Sequence, residues 1–444
     1  MRPLLPLLFC SAALAAPPPE AYSGGAGTTF NAGRDAFTTP LTNLTRKHRR
    51  EFVVGNSFFK ENWVAAPATA ENRDGLGPLF HARSCSSCHV NDGRGAPPAG
   101  GEVMTGLLLR LSTAEGKPDP VYGGQLAVRA IPGVLPEADA RVRWVDSEVA
   151  LGDGEKVALR RPEISVTRWH YGEPAAGLRI GPRLASPVYG GGLLEAVEED
   201  VLRKAADPDD TNGDGISGRL NLLEHDGRKV PGRFGWKANQ PTLRRQAAEA
   251  FNGDIGITTP EHPEENHTAA QLARWPSIPH GGQPEAEVLI MDRMETYLRG
   301  LAVPARRHLD NVVVRRGETL FRGLNCAACH LPELTTGASH PMEELRNQKI
   351  HPYSDLLLHD MGPGLADGRP DGEATGSEWR TAPLWGIGLN GAVNGNAFFL
   401  HDGRARSITE AILWHGGEAA AARDAFLALP KAGRAALVQF VESL

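Results

Sequence analysis

The sequence predicts a mainly α-helical fold of two related modules, with a β-rich insertion in the first, and three observations predict it. A C-x-x-C-H motif occurs twice, at Cys85, Cys88 and His89 and again at Cys326, Cys329 and His330. A Leu-Phe pair precedes each copy at the same offset, Leu79 with Phe80 and Leu320 with Phe321, and glycine stands upstream at Gly77 and Gly317, so the repeat extends beyond the motif. Between the two copies, alternating segments (RVRWV, 141–145, and KVALR, 156–160) flank a GDGE turn, the pattern of a β-hairpin. Two thiols and an adjacent His at this spacing attach a c-type haem: the thiols add to its vinyl groups and the His ligates the iron. The expected architecture is therefore two cytochrome c-like modules, each with one covalently bound haem c. Two disulfides, a redox dithiol or a zinc site shared by both pairs would use the cysteines alone, and none accounts for a His beside each pair.

Residues 1–16 hold one positive charge at Arg2, an apolar run and small residues ahead of prolines, which reads as a cleaved secretory signal and places the protein in the periplasm. The run falls short of the roughly 20 residues that span a bilayer, and none of comparable length follows. Cys10 lies within it, so the four remaining cysteines are those of the two motifs. The first module is expected over residues 17–304, with the β-rich insertion at about 104–171, and a helix over 287–304 closes it. In residues 207–218, Asp210, Asn212 and Asp214 alternate ahead of Gly215, the front half of a loop for one calcium ion. Asn221 stands where the closing Glu would be, and an Asp/Gly-rich surface turn is the plainer alternative. The second module is expected over residues 305–444. It ends in a helix whose Leu437, Phe440, Val441 and Leu444 form one apolar stripe.

Composition agrees with a folded chain: 444 residues at 41% hydrophobic make two or three domains at about 150 residues each. Gly 51 and Pro 34 predict long loops between short elements. Lys plus Arg 47 against Asp plus Glu 53 gives a net charge of −6, which offers no electrostatic reason to bind nucleic acid or an anionic membrane.

With both motifs, SPVYGGGLLEAV (186–197), GRFGWKANQPTLRRQAAEAFNGDIGIT (232–258), DLLLHDMG (355–362) and FLHDGRARSITEAILWHGGEA (399–419), nearly the whole mature chain resembles a known family. It is the family called di-haem oxidoreductase, putative peroxidase, also labelled thiol oxidoreductase, within the bacterial di-haem cytochrome c peroxidase superfamily. The resemblance implies that the position after the H-D-G-R block, His415, is the distal ligand of the second iron, with Met361 and His359 as rivals and His401 as a pocket or propionate contact. It also implies that Trp236 stands near the family's inter-haem tryptophan and Gln246 near its pocket glutamine. The relatives' acid/base glutamate falls on Gly256, so Asp254, the nearest carboxylate, is the candidate proton carrier. Lys237 replaces an expected Asp and reads as a solvated or propionate-paired cation or as an iron ligand, and His81 and His170 are further candidates for the first haem. The function implied is reduction of hydrogen peroxide, or another small oxidant, at the N-terminal haem, with a small cytochrome or cupredoxin as electron donor. A di-haem electron carrier with both irons closed, and an oxidase of an organic or protein substrate through high-valent iron, are the alternatives.

Overall fold

Proline removes a backbone donor and glycine weakens helix interiors, so a chain this rich in both cannot sustain long helices. The computed structural model describes residues 16–102, 105–275 and 278–444; the expected signal peptide, except Ala16, and Met104 at the start of the expected insertion lie outside the described residues. The mainly α expectation is overturned. The chain is 30% helix and 19% strand, and its described residues form six small sheets, five of two strands and one of three. The fold is mixed, and it is not a cytochrome c-like helical fold with a β insertion. The physical reason is that, between short helices, the backbone satisfies its hydrogen bonds in antiparallel pairs, several of them with distant segments.

Helix α1 (Arg46–Lys60) starts at Thr45, whose side chain accepts from the His48 N–H, and buries Phe52 and Phe59. Helix α2 (Leu243–Ala250) is capped by Thr242 and runs into a π-turn, Phe251–Ile255. The expected closing helix of the first half is α3 (Val288–Gly300); Ile290, Met291, Met294, Tyr297 and Leu298 are buried at helical spacing. In the second half, α4 (Val312–Gly323), α5 (Ile408–Leu413) and the terminal α6 (Lys431–Ser443) follow. Helices α4 and α6 meet at Gly317, where a Cβ would stand 2.0 Å from the Ala436 carbonyl oxygen. Only glycine allows that approach.

From the sequence, the segment LF-x-x-x-x-C-x-x-C-H reads as one helix in each copy, and the two copies differ at its start. Leu320 and Phe321 lie in α4, but Leu79–Phe80 is a short strand paired with Arg129–Ala130. Pro78 and the tight contact of Gly77 with Gly256 leave the first copy extended.

Strand β1 (Leu107–Ser112) pairs antiparallel with β4 (Arg179–Leu184), and the predicted hairpin is the ribbon of β2 (Ala138–Ala150) and β3 (Lys156–Trp169). The ribbon is not confined to the N-terminal half. Leu151 and Leu159 are buried in a core with Phe426, Leu437 and Phe440, Gly152 donates to Leu427 O, and Arg434 pairs with Asp153 and Glu155. The largest core likewise joins Phe37, Phe52 and Met294 to Leu334, Ile350 and Trp385. Near the C-terminus of the sheet order, β5 (Leu358–Asp360) pairs with β6 (Glu378–Arg380), placing His359 opposite Trp379.

Candidate functional site

None of the four motif cysteines takes part in a disulfide. Desolvation pushes the Cys85 thiol up to about 12 and the Cys326 thiol up to about 11, and raises Cys88 and Cys329 as well. The two pairs also lie apart: Cys85 packs on the core of α1 and α3, Cys326 on that of α4 and α6.

Each motif histidine is oriented by the same device. His89 Nδ1 lies 2.7 Å from Ser186 O and His330 Nδ1 2.9 Å from Tyr353 O, and Phe59 and Phe321 pack near the respective rings. A ring N–H held by a backbone carbonyl fixes the tautomer and leaves Nε2 as the lone-pair donor. His415 is arranged alike, with Nδ1 2.7 Å from Ala411 O. Desolvation, opposed by the Tyr353 carbonyl and aided by nearby His415, brings the His330 imidazole down to about 4; desolvation lowers His89 and His415 too.

Cys85, Cys88, His89, Trp236, Gln246 and Asp254 all line one cavity, with about 1890 Å³ of empty space including its mouth. The π-turn carries Asp254 into this wall, and such turns recur at functional sites. Its backbone carbonyl accepts from the His81 and Ala82 N–H groups. Burial raises the Asp254 carboxyl above its ordinary range, partly offset by a 2.7 Å hydrogen bond from Gln125 and by Arg110. Gln246 has a buried Oε1 with no hydrogen-bond partner. Trp236 donates its indole N–H to Leu184 O.

The cavity fits a haem. Arg94 is buried in its wall with Nε and Nη1 unpartnered, its guanidinium lies 5.5 Å over the Trp236 ring, and burial lowers it to about 10. Arg380, also lining the cavity and lowered to about 10 by burial, donates among the described residues only to carbonyls of Gly235 and Thr381. A buried cation without a counter-charge is costly, and the carboxylates of a haem are anions of the right kind. These arginines, like Arg110, Gln125 and Glu249 on the same wall, escape sequence reading because no local spacing links them to the motif.

Several candidates stand elsewhere. Both His359 nitrogens are engaged, Nε2 by Asp355 and Nδ1 by Glu418, each at 2.8 Å; against desolvation, these carboxylates and Cys329 raise the imidazole far above its usual value. His401 stacks on Trp379 at 3.7 Å. Lys237 does line the cavity, but it is not solvated: it is 1% exposed, and its Nζ donates to Thr375 O and Glu378 O. His170 Nδ1 is held by Pro136 O, and His81 Nε2 by Thr105 O. In the 207–218 loop, Asp210 accepts from Gly215 N, Asn212 from Asp214 N and Asp214 from Ile216 N. Asn221 points inward instead, donating to Lys237 O and Asp371 O.

Comparison with known families places this geometry. The sequence model of the family described as di-haem oxidoreductase, putative peroxidase, matches residues 20–115 and 121–444, so the chain belongs to that family. Searches of curated proteins and of solved structures gave no match. Membership makes the chain an oxidoreductase whose cofactors are haems, and the family description points to a peroxide as substrate. Among the described residues no helix is long and apolar enough to cross a membrane.

Proposed function

We propose that this di-haem oxidoreductase is a periplasmic peroxidase that reduces hydrogen peroxide in the Cys85–His89 cavity, drawing electrons from a small cytochrome or cupredoxin through the second motif. The observation that carries this reading is the convergence of Gln246, Asp254 and Trp236 on the cavity that holds the first C-x-x-C-H motif. In this reading Cys85 and Cys88, and Cys326 and Cys329, hold the haems as thioethers, His89 and His330 ligate the irons, and His415 takes the far side of the second. A haem bound there supplies the redox equivalents for O–O cleavage.

The chain's own groups supply the rest. Asp254 moves a proton from the inner to the outer oxygen of the peroxide as the O–O bond breaks, and Gln246 donates a hydrogen bond to hold it. Two electrons from the donor and two protons from solvent complete the reduction to two waters. A succession of contacts and backbone pairing runs from the second motif to Trp236. Cys329 Sγ lies 3.7 Å from His359 Nδ1, His359 pairs with Trp379 across the β5–β6 ladder, and Arg380 N donates to Trp236 O.

The test is the optical and EPR spectrum of the holo-protein, oxidised and half-reduced, before and after one equivalent of hydrogen peroxide. Conversion of one high-spin or ligand-exchangeable haem is expected. Two inert six-coordinate haems in both states would make the protein an electron carrier instead.

A further inference from the structure

The β-rich segment contributes two side chains to the cavity that the proposed chemistry has not yet used. Arg110 lies on β1, and Gln125 lies on the stretch that recrosses it, pinned by Leu111 N to Gly124 O at 2.8 Å and Leu126 N to Leu109 O at 2.9 Å. Gln125 therefore has little backbone freedom. Its amide is fully committed: Nε2 donates to Gly253 O at 2.9 Å and to Asp254 Oδ1 at 2.7 Å, and Oε1 accepts from Arg110 at 3.4 Å. Flipping the amide would set its oxygen against two other oxygens, so this orientation is the one that satisfies the site. Arg110 is itself held by Glu249, 3.2 Å from both terminal nitrogens.

We infer that Gln125, anchored by Arg110, is a positioning residue that locks the Asp254 carboxylate with Oδ1 tied back and Oδ2 turned to the cavity. The inference deepens the peroxidase reading and rests on it. Among the described residues Oδ2 has no hydrogen-bond partner, whereas the Asp254 main chain is already fixed by the His81 and Ala82 N–H groups. Without the amide, the remaining freedom is rotation of the carboxylate, and the cation facing it is Arg110. An ion pair with Arg110 would draw the carboxylate out of reach of a peroxide, and small displacements of a reacting group are expensive in rate. The other charged or titratable groups around Asp254 are Glu249 on α2, His89, and Cys85 and Cys88.

The experiment compares the holo-protein with Gln125→Leu, Arg110→Gln, Asp254→Asn and the Gln125→Leu/Asp254→Asn double variant. Two rates are read by stopped-flow absorbance: reaction with hydrogen peroxide, and association of hydrogen cyanide with the ferric protein. Hydrogen cyanide must lose its proton to bind as the anion, so the second rate reports the pocket base without turnover. Gln125→Leu is expected to slow both about tenfold with haem content and far-UV circular dichroism unchanged, and Arg110→Gln to slow both less. In the Asp254→Asn background, Gln125→Leu should cause no further loss. Wild-type rates in Gln125→Leu, or an additional loss in the double variant, would overturn the positioning role while leaving Asp254 as the base. If Gln125→Leu does not fold, wild-type rates in Arg110→Gln decide against it. Unchanged rates in Asp254→Asn would remove the acid–base reading itself, and the positioning role with it.

Discussion

Replacing Asp254 by Asn keeps the side-chain shape and one oxygen but removes the group able to take a proton. The cost follows from what remains on the wall. Gln246 is an amide and cannot accept a proton near neutrality, and Glu249 is paired with Arg110 at 3.2 Å. The Arg110 guanidinium, although burial alone would lower it, is held above its usual value by Glu249 and Asp371, so it stays a cation. Asp371, the remaining carboxylate of the wall, would be raised by burial alone but is held below its ordinary value by Arg369 and Arg110. Among the described residues no unpaired carboxylate is left there, and the full contribution of general acid–base catalysis should be lost, roughly 10²- to 10⁴-fold in rate, or about 3–5 kcal/mol of barrier. The assay is the bimolecular rate of spectral change after mixing half-reduced protein with hydrogen peroxide near pH 7, measured without the electron donor so that docking does not enter. Because burial raises the Asp254 carboxyl, the wild-type rate should fall as the solution is made acidic enough to protonate it, and the variant should lose that dependence. A rate within about threefold of wild type, with the same pH profile, would refute the assignment.

Three further outcomes follow from the same geometry. His415→Ala should convert one haem from low to high spin in the EPR spectrum while leaving the other unchanged; an unaltered spectrum would remove His415 from the iron. Leu151, 5% exposed at the ribbon tip and packed in the core of α4 and α6, should cost about 2–5 kcal/mol when cut to Ala, measured by denaturant unfolding, whereas a loss near zero would show that the tip is not held there. Glu195 is buried, which alone would raise its carboxyl, yet His340, Arg299 and the Leu243 N–H bring it down to about 2. A depressed folded value means stability that is complete above about pH 4.5 and lost as pH falls toward 2, on the order of 3 kcal/mol; in Glu195→Gln, acid unfolding monitored by circular dichroism should lose that portion of its pH dependence.

What could be read from the chain alone divides along the range of the interactions involved. The motif spacing, the apolar stripes of α3 and α6, and the alternation of β2 and β3 around their turn are local patterns, each set within a few residues by covalent geometry or by the helical and strand periods. Those features, and the family, are legible in the chain alone. Its reading failed where neighbours outside that window decide. The same Leu-Phe pair is helix in one copy and strand in the other, because Gly77 lies against Gly256 while Gly317 lies against Ala436. The ribbon reads as an insertion in one half until its tip is seen in the core of the other. His359 resembles a free ligand in sequence, but Asp355 and Glu418 close on both its nitrogens. Asp254 and Gln125 stand 129 positions apart with no pattern to join them. The fold class, the orphaned charge of Arg94 and the setting of Asp254 come from long-range packing, because burial and desolvation depend on which distant segments remove a group from water, and no local period encodes that.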